Sequence, residues 1–459
     1  MLNYIWLGLM VLAVVIGGCT DHLKEVADKS FEMAEFAVMK TALPLVGIMA
    51  LWLGIMRLAE RAGLVALLAR ALRPLMVWLF PDVPHDHPAM GSMLMNMAAS
   101  ILGLGNAATP LGLRAMKDLE TLNPRPGTAT NAMCTYLAIN TSSIQLIPAT
   151  AIAVLAAHNA ANPTAIVGTS IMATTCAAIT AVAAAKFLQR LPIYRLPPVT
   201  TPVPQAALTP AESSAAKVAS DKPIIKEAST LQPLKWWGAV IMAAFGAFFL
   251  YLFFRFAFPE TLGSFLPALA PTASAEATHP TTFVRIVGAV SKLSIPFMLS
   301  VFPLYAALRH VKVYEEFVDG AKEGYDVAIR IVPYLVAILV AMGMFRAAGG
   351  IDMISAALAP MMQVLGFPAP LLPMVLMRPL SGSGTLGLFA ELVKQYGPDS
   401  IISRMGGTIF GSTETTFYVL AVYFGSVSIK RTRYALPAGL IADTAGVIAS
   451  VIFCKMVFG

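Results

Sequence analysis

The stretch Ile409-Phe-Gly-Ser-Thr-Glu-Thr-Thr-Phe-Tyr-Val-Leu420 sets the fold class of this chain. It lies inside a run from Met405 to Ile429 that is long enough to cross a bilayer and carries one charge, Glu414. A carboxylate near the middle of a membrane helix costs roughly 2.5–3.5 kcal/mol, so such residues face the protein interior and mark function by default. The hydroxyls of Ser412, Thr413, Thr415 and Thr416 are more polar than lipid contact favours. A helix serving only as an anchor would carry leucine there.

The rest of the chain agrees. Of its 459 residues 57% are hydrophobic and 12% charged, against about 25% charged in soluble domains, and the mean hydropathy is +0.73. This composition predicts an all-α polytopic membrane protein. The net charge of +7 comes from Lys and Arg at segment ends and in a central linker, the bias that membrane topology produces, so nucleic acid is not an expected partner. Cys19, Cys134, Cys176 and Cys454 have no CxxC spacing and imply neither a disulfide frame nor a zinc site. His85 and His87 flank Asp86 in a proline-bounded loop, too few ligands for zinc, and read as a solvated turn. There is no Walker A sequence. No metal and no cofactor are expected.

Met1 to Gly18 is apolar and Ile16-Gly-Gly-Cys19 resembles a lipoprotein cleavage box, but no Lys or Arg precedes it. The expectation is an uncleaved first helix with its start outside. Asp21 to Met39 and Val311 to Asp326 are amphipathic and predict helices at the membrane surface. Thr41–Met56, Pro163–Phe187, Trp236–Phe258, Leu293–Leu308, Ala328–Phe345, Ile351–Phe367 and Tyr434–Val457 read as spans, while Leu64–Phe80 carries Arg70 and Arg73 and is a span or an interfacial helix.

Two other apolar runs contain polar, glycine-rich interruptions: Ala89–Leu113 holds Gly105-Asn-Ala-Ala-Thr-Pro110, and Leu371–Leu392 holds Arg378-Pro-Leu-Ser-Gly-Ser-Gly384. Asn131–Leu155 is again uncharged, with the polar Asn140-Thr-Ser-Ser-Ile-Gln145 in the middle of an apolar helix and Pro148 beyond. Broken or re-entrant helices are tolerated in lipid only where the freed backbone is buried or lines a cavity, and they often form ion and substrate sites. The alternative is a tight packing seam of small residues.

The interruptions recur in order. Gly54-Ile-Met-Arg57 matches Gly343-Met-Phe-Arg346, Phe80-Pro81 matches Phe367-Pro368, and Thr109-Pro-Leu-Gly-Leu113 matches Gly384-Thr-Leu-Gly-Leu388. Asn140-Thr-Ser-Ser143 matches Ser412-Thr-Glu-Thr415, which places Ser142 opposite Glu414. Duplicated halves with broken helices are secondary-transporter architecture. The expected boundaries are 1–190 for the first half, 191–233 for a Pro-rich, cytoplasmic linker, 234–290 for an added span and loop, and 291–459 for the second half. Parallel and inverted repeats both remain open.

These landmarks resemble the spore maturation A and B proteins joined in one chain. Residues 1 to about 190 carry the A-like Gly105–Pro110 and Asn140–Pro148 motifs. Residues from about 290 carry the B-like Lys312–Gly324, Arg378–Gly384 and Gly411–Tyr418 motifs. The wider group is that of the nucleoside recognition, or gate, domain. The resemblance implies an inner-membrane protein and supplies no substrate.

The leading functional expectation is a secondary transporter or permease of an unidentified small solute. Glu414, Asp443 and Arg378 form its charged site, with Ser381, Ser383, Thr385, Ser412 and Thr413 beside them. Asn106, Asn140, Ser142 and Gln145 supply the neutral counterpart from the first half. The bland reading of the three charges is a self-neutralising ion triad. An enzyme is not expected: Ser381-Gly-Ser-Gly384 has no His or Lys placed as a base. A non-transporting accessory subunit, docked through the amphipathic helices, is the alternative. Expected partners are the lipid bilayer and the solute or ion, with a homo-oligomer also open.

Overall fold

The computed structural model describes residues 2–103, 105–196, 234–259, 281–350, 353 and 366–459. Within them the chain is helical, with one isolated bridge between Thr128 and Arg431. Most of the 191–233 linker, the loop 260–280 and the expected span Ile351–Phe367, apart from Met353, Gly366 and Phe367, lie outside the described residues. Five helices among the described residues are long and apolar enough to cross a membrane. The chain is an all-α multi-pass membrane protein built from two related halves with broken and re-entrant helices.

The first half begins with α1 (Leu2–Cys19), then α2 (Leu23–Glu35), which runs through a π-helical turn, Phe36–Ala42, into α3 (Leu43–Arg61). Together α2 and α3 make one rod of 39 residues, about 58 Å long, which outreaches a bilayer. The amphipathic segment is therefore continuous with the span and does not lie flat on the surface. Its partner is α12 (Val313–Ala347), where the second amphipathic segment likewise continues into its span. The apolar stripe of each segment is buried against the other half: Val26 and Met33 are 2% and 1% exposed.

Glycines set this pairing. A Cβ on Gly320 would stand 2.6 Å from the Leu53 carbonyl, and one on Gly324 2.6 Å from Ala50 Cα, so backbone packs on backbone as small-xxx-small spacing allows. Gly54 meets Phe317 and Gly343 meets Met33, so rising numbers on α3 face falling numbers on α12. The two helices are antiparallel. Arg57 closes one end on Glu316 and Glu323 at 2.9 and 2.6 Å, and Lys394 reaches Glu32 at 2.8 Å at the other.

The α4 helix (Leu64–Leu79) precedes α5 (Pro88–Ile101) and α6 (Gly105–Glu120), which fold back on each other. At 14 and 16 residues these arms span about 21 and 24 Å, short of the ~30 Å hydrocarbon core, so they form a re-entrant hairpin. Gly103, at φ +80°, makes its tip in a conformation glycine adopts without strain. Next, α7 (Asn131–Thr141) and α8 (Ala149–Ala157) are two pieces of one broken helix, with Pro148 opening the second, and α9 (Ile166–Leu188) ends the half.

In the second half α10 (Trp236–Ala257) packs on α11 (Thr282–Leu308) and turns most of its surface outward to lipid. After α12 come α13 (Leu372–Met377) and α14 (Gly382–Tyr396), the arms of a second hairpin. The broken helix α15 (Ile401–Ser412) and α16 (Thr416–Gly425) follows, and α17 (Ala435–Phe458) closes the chain. The run Met405–Ile429, expected as one span, is thus interrupted at Thr413–Thr415. Ser412 and Thr413 turn their hydroxyls back onto the Ile409 carbonyl, at 3.3 and 2.9 Å, competing with the helix's own ladder.

The repeats are inverted. Helices in equivalent positions, α3 with α12 and α9 with α17, pack antiparallel. For the second pair, Thr169 and Cys454 both meet Thr408 while Ala177 meets Gly446. Each half's broken helix also packs on the other half's last helix, α15 on α9 and α7 on α17, so one core runs through both halves. The added span α10 explains the inversion. Counting α1, α3, α7–α8 and α9 as crossings, the first half begins and ends on one side, and α10 delivers the second half to the opposite one. It follows that α4 does not cross. The start of α1 and the end of α9 share a side, so an outer start and a cytoplasmic linker cannot both hold. Arg57, Arg61, Arg190, Arg195, Lys430, Arg431 and Arg433 collect on that side.

This arrangement has a direct check. In a background lacking Cys19, Cys134, Cys176 and Cys454, cysteines replacing Arg195 and Lys430 are expected to react with an impermeant maleimide from one face. A cysteine replacing Tyr396 reacts from the other. Labelling of positions 195 and 396 from the same face would disprove the inversion.

Candidate functional site

Four interruptions, one from each hairpin and one from each broken helix, meet inside the bundle. The amide of Leu146 donates to the Ile101 carbonyl at 2.9 Å, joining the first hairpin tip to the α7–α8 break. The amide of Phe417 donates to the Pro379 carbonyl at 3.0 Å, joining the second tip to the α15–α16 break. The Glu414 amide donates to the Thr141 carbonyl at 2.9 Å, joining the two breaks. Helix ends point at this place from every direction, so amide and carbonyl dipoles of both signs converge where lipid cannot reach.

Arg378, 3% exposed, is the organising side chain of the second tip. Its Nη2 donates to the Phe410 carbonyl at 3.0 Å and to the Thr413 carbonyl, its Nε to Thr413 Oγ1 at 3.1 Å, and its Nη1 to Thr415 Oγ1 at 3.4 Å. The guanidinium also stacks over Phe410, 4.6 Å from the ring centre. It therefore caps the C-terminal end of α15, supplying donors that the broken ladder lost. Among the described ion pairs none joins Arg378 to Glu414 or Asp443 by direct contact, so the alternative of a self-neutralising triad has no contact pair behind it. In the first half the same task falls to a neutral group: Thr174 Oγ1 donates to the Ser142 and Ser143 carbonyls at 2.9 and 2.8 Å.

Glu414 sits in the break itself, half-buried. Ser143 Oγ donates to its Oε2 at 3.4 Å and the Thr415 amide to its Oε1 at 3.3 Å. Matching helix ends rather than letters pairs Thr141 with Ser412, both of which bond the carbonyl three residues back. The counterpart of Glu414 is then Ser143, not Ser142, and the two counterparts touch. Residues near a two-fold axis must meet in this way. Ser143 also holds a left-handed φ of +45°, unfavourable for serine, in the same break.

Asp443, on α17, is 5% exposed and accepts a hydrogen bond from Thr416 through Oδ2. Gly439 and Gly446, above and below it, let α17 approach Thr141, Thr416 and Thr413. Its Oδ1 has no partner, and the same is true of Ser170 Oγ and Trp52 Nε1. Ser170 Oγ lies 3.1 Å from where a Gly411 Cβ would be, beside Pro148, and Trp52 Nε1 lies 4.0 Å from the Gly103 position at the first tip. One acceptor, one hydroxyl and one donor are thus left unsatisfied around the four breaks, where an unmet buried group costs roughly 1–3 kcal/mol.

The other expected site residues divide. Ser381 caps α14 by accepting from the Gly384 amide at 3.0 Å, and Thr385 donates to the Ser381 carbonyl at 2.6 Å. Ser142 bonds the Ile139 carbonyl, and Ser412 meets Ser450 at 3.0 Å. These four side chains are engaged in holding the breaks. Ser383, Asn140 and Gln145 are half-buried around the same tips: Asn140 donates to the Tyr136 carbonyl and Gln145 to Ser143 Oγ. The Asn106 side chain lies outside the described residues. Sequence reasoning missed Ser143, Thr174, Ser170 and Trp52, and it singled out Thr416 without its Asp443 partner. Only Ser143 and Thr416 stood in a polar run; the others come from spans with no local signal.

Comparison with known proteins follows the same division. A family described as "Gate: Nucleoside recognition" matches residues 42–190 and 328–430, together more than half of the chain. Spore maturation protein B of Bacillus subtilis (strain 168) is 44% identical over 176 residues, 38% of this chain and 99% of the relative. Spore maturation protein A of the same organism is 44% identical over 182 residues, 40% of this chain and 92% of the relative. The two matches cover different halves. No solved structure matches the chain. With both inverted halves matched and each similar to a separate relative, this chain belongs to the gate, or nucleoside recognition, family as a fused form of two spore maturation-like proteins.

Proposed function

We propose that this protein is a secondary transporter, or permease, of a small polar solute across the inner (plasma) membrane, with its site where the four interruptions meet. The observation that carries the reading is the set of unsatisfied buried groups, Asp443 Oδ1, Ser170 Oγ and Trp52 Nε1, around the half-buried carboxylate of Glu414. Inverted halves give two equivalent ways of opening such a site, one to each face. In this reading Glu414 holds the ion or proton that moves with the solute, and Arg378 keeps the break open without competing for it. No catalytic step is part of the proposal, since Ser381 is engaged in capping α14.

A non-transporting accessory subunit is the competing reading. It relies on α2 and the start of α12 as docking faces; each packs one stripe against the other half through Val26, Met33, Gly320 and Gly324 and leaves Phe31, Tyr314 and Tyr325 exposed on its outer face. Purified protein in proteoliposomes, screened against a metabolite mixture, is expected to concentrate a polar solute. Glu414→Gln is expected to abolish that uptake while its thermal unfolding stays unchanged. A folded Glu414→Gln variant with normal uptake would remove the carboxylate from the mechanism. Failure of the wild type to move any solute, together with a stoichiometric copurifying partner, would support the accessory subunit.

A further inference from the structure

A second site lies away from the helix breaks, at the ends of α4, α6, α9 and α16 on the arginine-rich face. There a cavity of about 580 Å³ is lined by Arg125, Arg195 and Arg433, by Asn123, and by the first turn of α7 at Asn131 and Ala132. That volume falls in the range of small-molecule sites, roughly 300–1,000 Å³. Asp82, an exposed residue, is the only acidic lining group among the described residues.

The cavity is built rather than incidental. The loop before α7 is tied to the loop after α16: Lys430 and Arg431 donate their amides to the Gly127 carbonyl at 2.9 and 3.0 Å, and the Ala129 amide donates to the Arg431 carbonyl at 3.0 Å. Arg433 adopts a left-handed φ of +50° and is held by neutral acceptors alone. These are the Ala129 carbonyl at 3.1 Å, Asn131 Oδ1 at 2.9 Å and the Tyr194 carbonyl at 2.6 Å. Among the described ion pairs no carboxylate neutralises Arg433 or Arg195. The Thr130 hydroxyl caps α7 by accepting from the Met133 amide at 3.2 Å, and Asn131 and Ala132 behind it are first-turn residues whose amides have no intrahelical acceptor.

We propose that this cavity binds a phosphate-bearing anion. Arginine forks and first-turn amides are the donors that phosphate oxygens favour, and the charge of Arg195 and Arg433, which no carboxylate pairs among the described residues, supplies the attraction. The Asn131 amide group and the Thr128 hydroxyl leave room for a polar group attached to the phosphate, while Asn123 is held by Glu120, the Thr128 carbonyl and the Arg125 amide. Because Arg433 comes from the second half, Arg195 and Leu196 from the start of the linker and the remaining lining from the first half, an occupant bridges the halves. The site does not depend on the transport reading.

Two sources can supply this chemistry, a soluble phosphate monoester or an anionic lipid headgroup. The full-length protein is tested by thermal unfolding in detergent with AMP, with inorganic phosphate and with chloride at matched ionic strength. In parallel it is tested in nanodiscs of phosphatidylglycerol and of phosphatidylcholine. The variant is Arg195→Ala, an exposed side chain with no role in the helix breaks. Saturable stabilisation by AMP or phosphate, with the midpoint weakened roughly tenfold in the variant, assigns a soluble ligand; the tenfold loss corresponds to one charge-assisted hydrogen bond. Stabilisation in phosphatidylglycerol alone, reduced in the variant, assigns the lipid. No response to any probe, or an equal response in Arg195→Ala and wild type, overturns the site.

Discussion

Replacing Arg378 with methionine is expected to destabilise the protein by more than about 3 kcal/mol, one of the largest single effects in the chain, because several buried acceptors lose their donor together. The substitution keeps most of the apolar stem and removes the guanidinium. The Phe410 and Thr413 carbonyls then lose their donor, and Thr413 Oγ1 and Thr415 Oγ1 lose theirs. An unmet buried acceptor costs roughly 1–3 kcal/mol, and α15 also loses the cation at its C-terminal end. Glu414 and Asp443 would at the same time lose the cation whose field reaches both. Arg378→Lys is expected to recover only part of the loss, because an ammonium cannot span two carbonyls and two hydroxyls as a planar fork does. Ser383→Ala serves as the control on the same tip, expected to cost less than about 1 kcal/mol since its single contact is a 3.4 Å approach to Ser381. Thermal unfolding in detergent reads all three. A methionine variant that melts with the wild type would show that the α15 cap is not what holds the break.

Gly320→Leu is expected to be at least as damaging, and to act on assembly of the two halves rather than on the site. The new Cβ alone would stand 2.6 Å from the Leu53 carbonyl and 2.9 Å from Gly54 Cα, both backbone atoms that cannot turn aside. The α3–α12 pair would have to separate along a rod of about 52 Å, the length of the 35-residue α12. Overpacking of a well-fitted contact costs typically 1–3 kcal/mol, and the figure rises when the obstacle is backbone. Separation would also break the Arg57 pairs with Glu316 and Glu323. We therefore expect loss of more than about 3 kcal/mol and little folded protein in the membrane. Gly47→Ala, on the same α3 helix with nothing within 4 Å of the added carbon, is the matched control and should fold normally. Equal accumulation of the Gly320→Leu and Gly47→Ala variants would mean that the close approach is dispensable.

Much of the architecture was legible without coordinates. Composition and segment lengths specify a helical membrane protein, because no other arrangement satisfies so long a series of apolar runs in lipid. The repeated order of Gly54–Arg57, Phe80-Pro81, Thr109–Leu113 and Asn140–Ser143 in the second half specifies duplication. Polar interruptions such as Gly105–Pro110 and Arg378–Gly384 specify breaks, since glycine, proline and hydroxyls weaken a helix wherever they stand. The interruption at Thr413–Thr415 was harder to see. It has no proline or glycine of its own and depends on Arg378, thirty-five residues upstream, to satisfy its carbonyls.

What only the tertiary structure decided is how the halves face each other. Inversion follows from the antiparallel contacts of Gly54, Gly320 and Gly324, and no local property of these residues distinguishes a parallel from an inverted partner. The pairing of Glu414 with Ser143 required the helix ends, because a one-residue difference in where α7 and α15 stop is invisible to an overlay of letters. The unpartnered oxygen of Asp443 and the isolated Trp52 and Ser170 could be recognised only once their surroundings were known. Sequence carries the propensity of each segment to cross or to break; the meeting of four breaks at one point is a long-range packing property, set by glycine-spaced contacts between halves hundreds of residues apart.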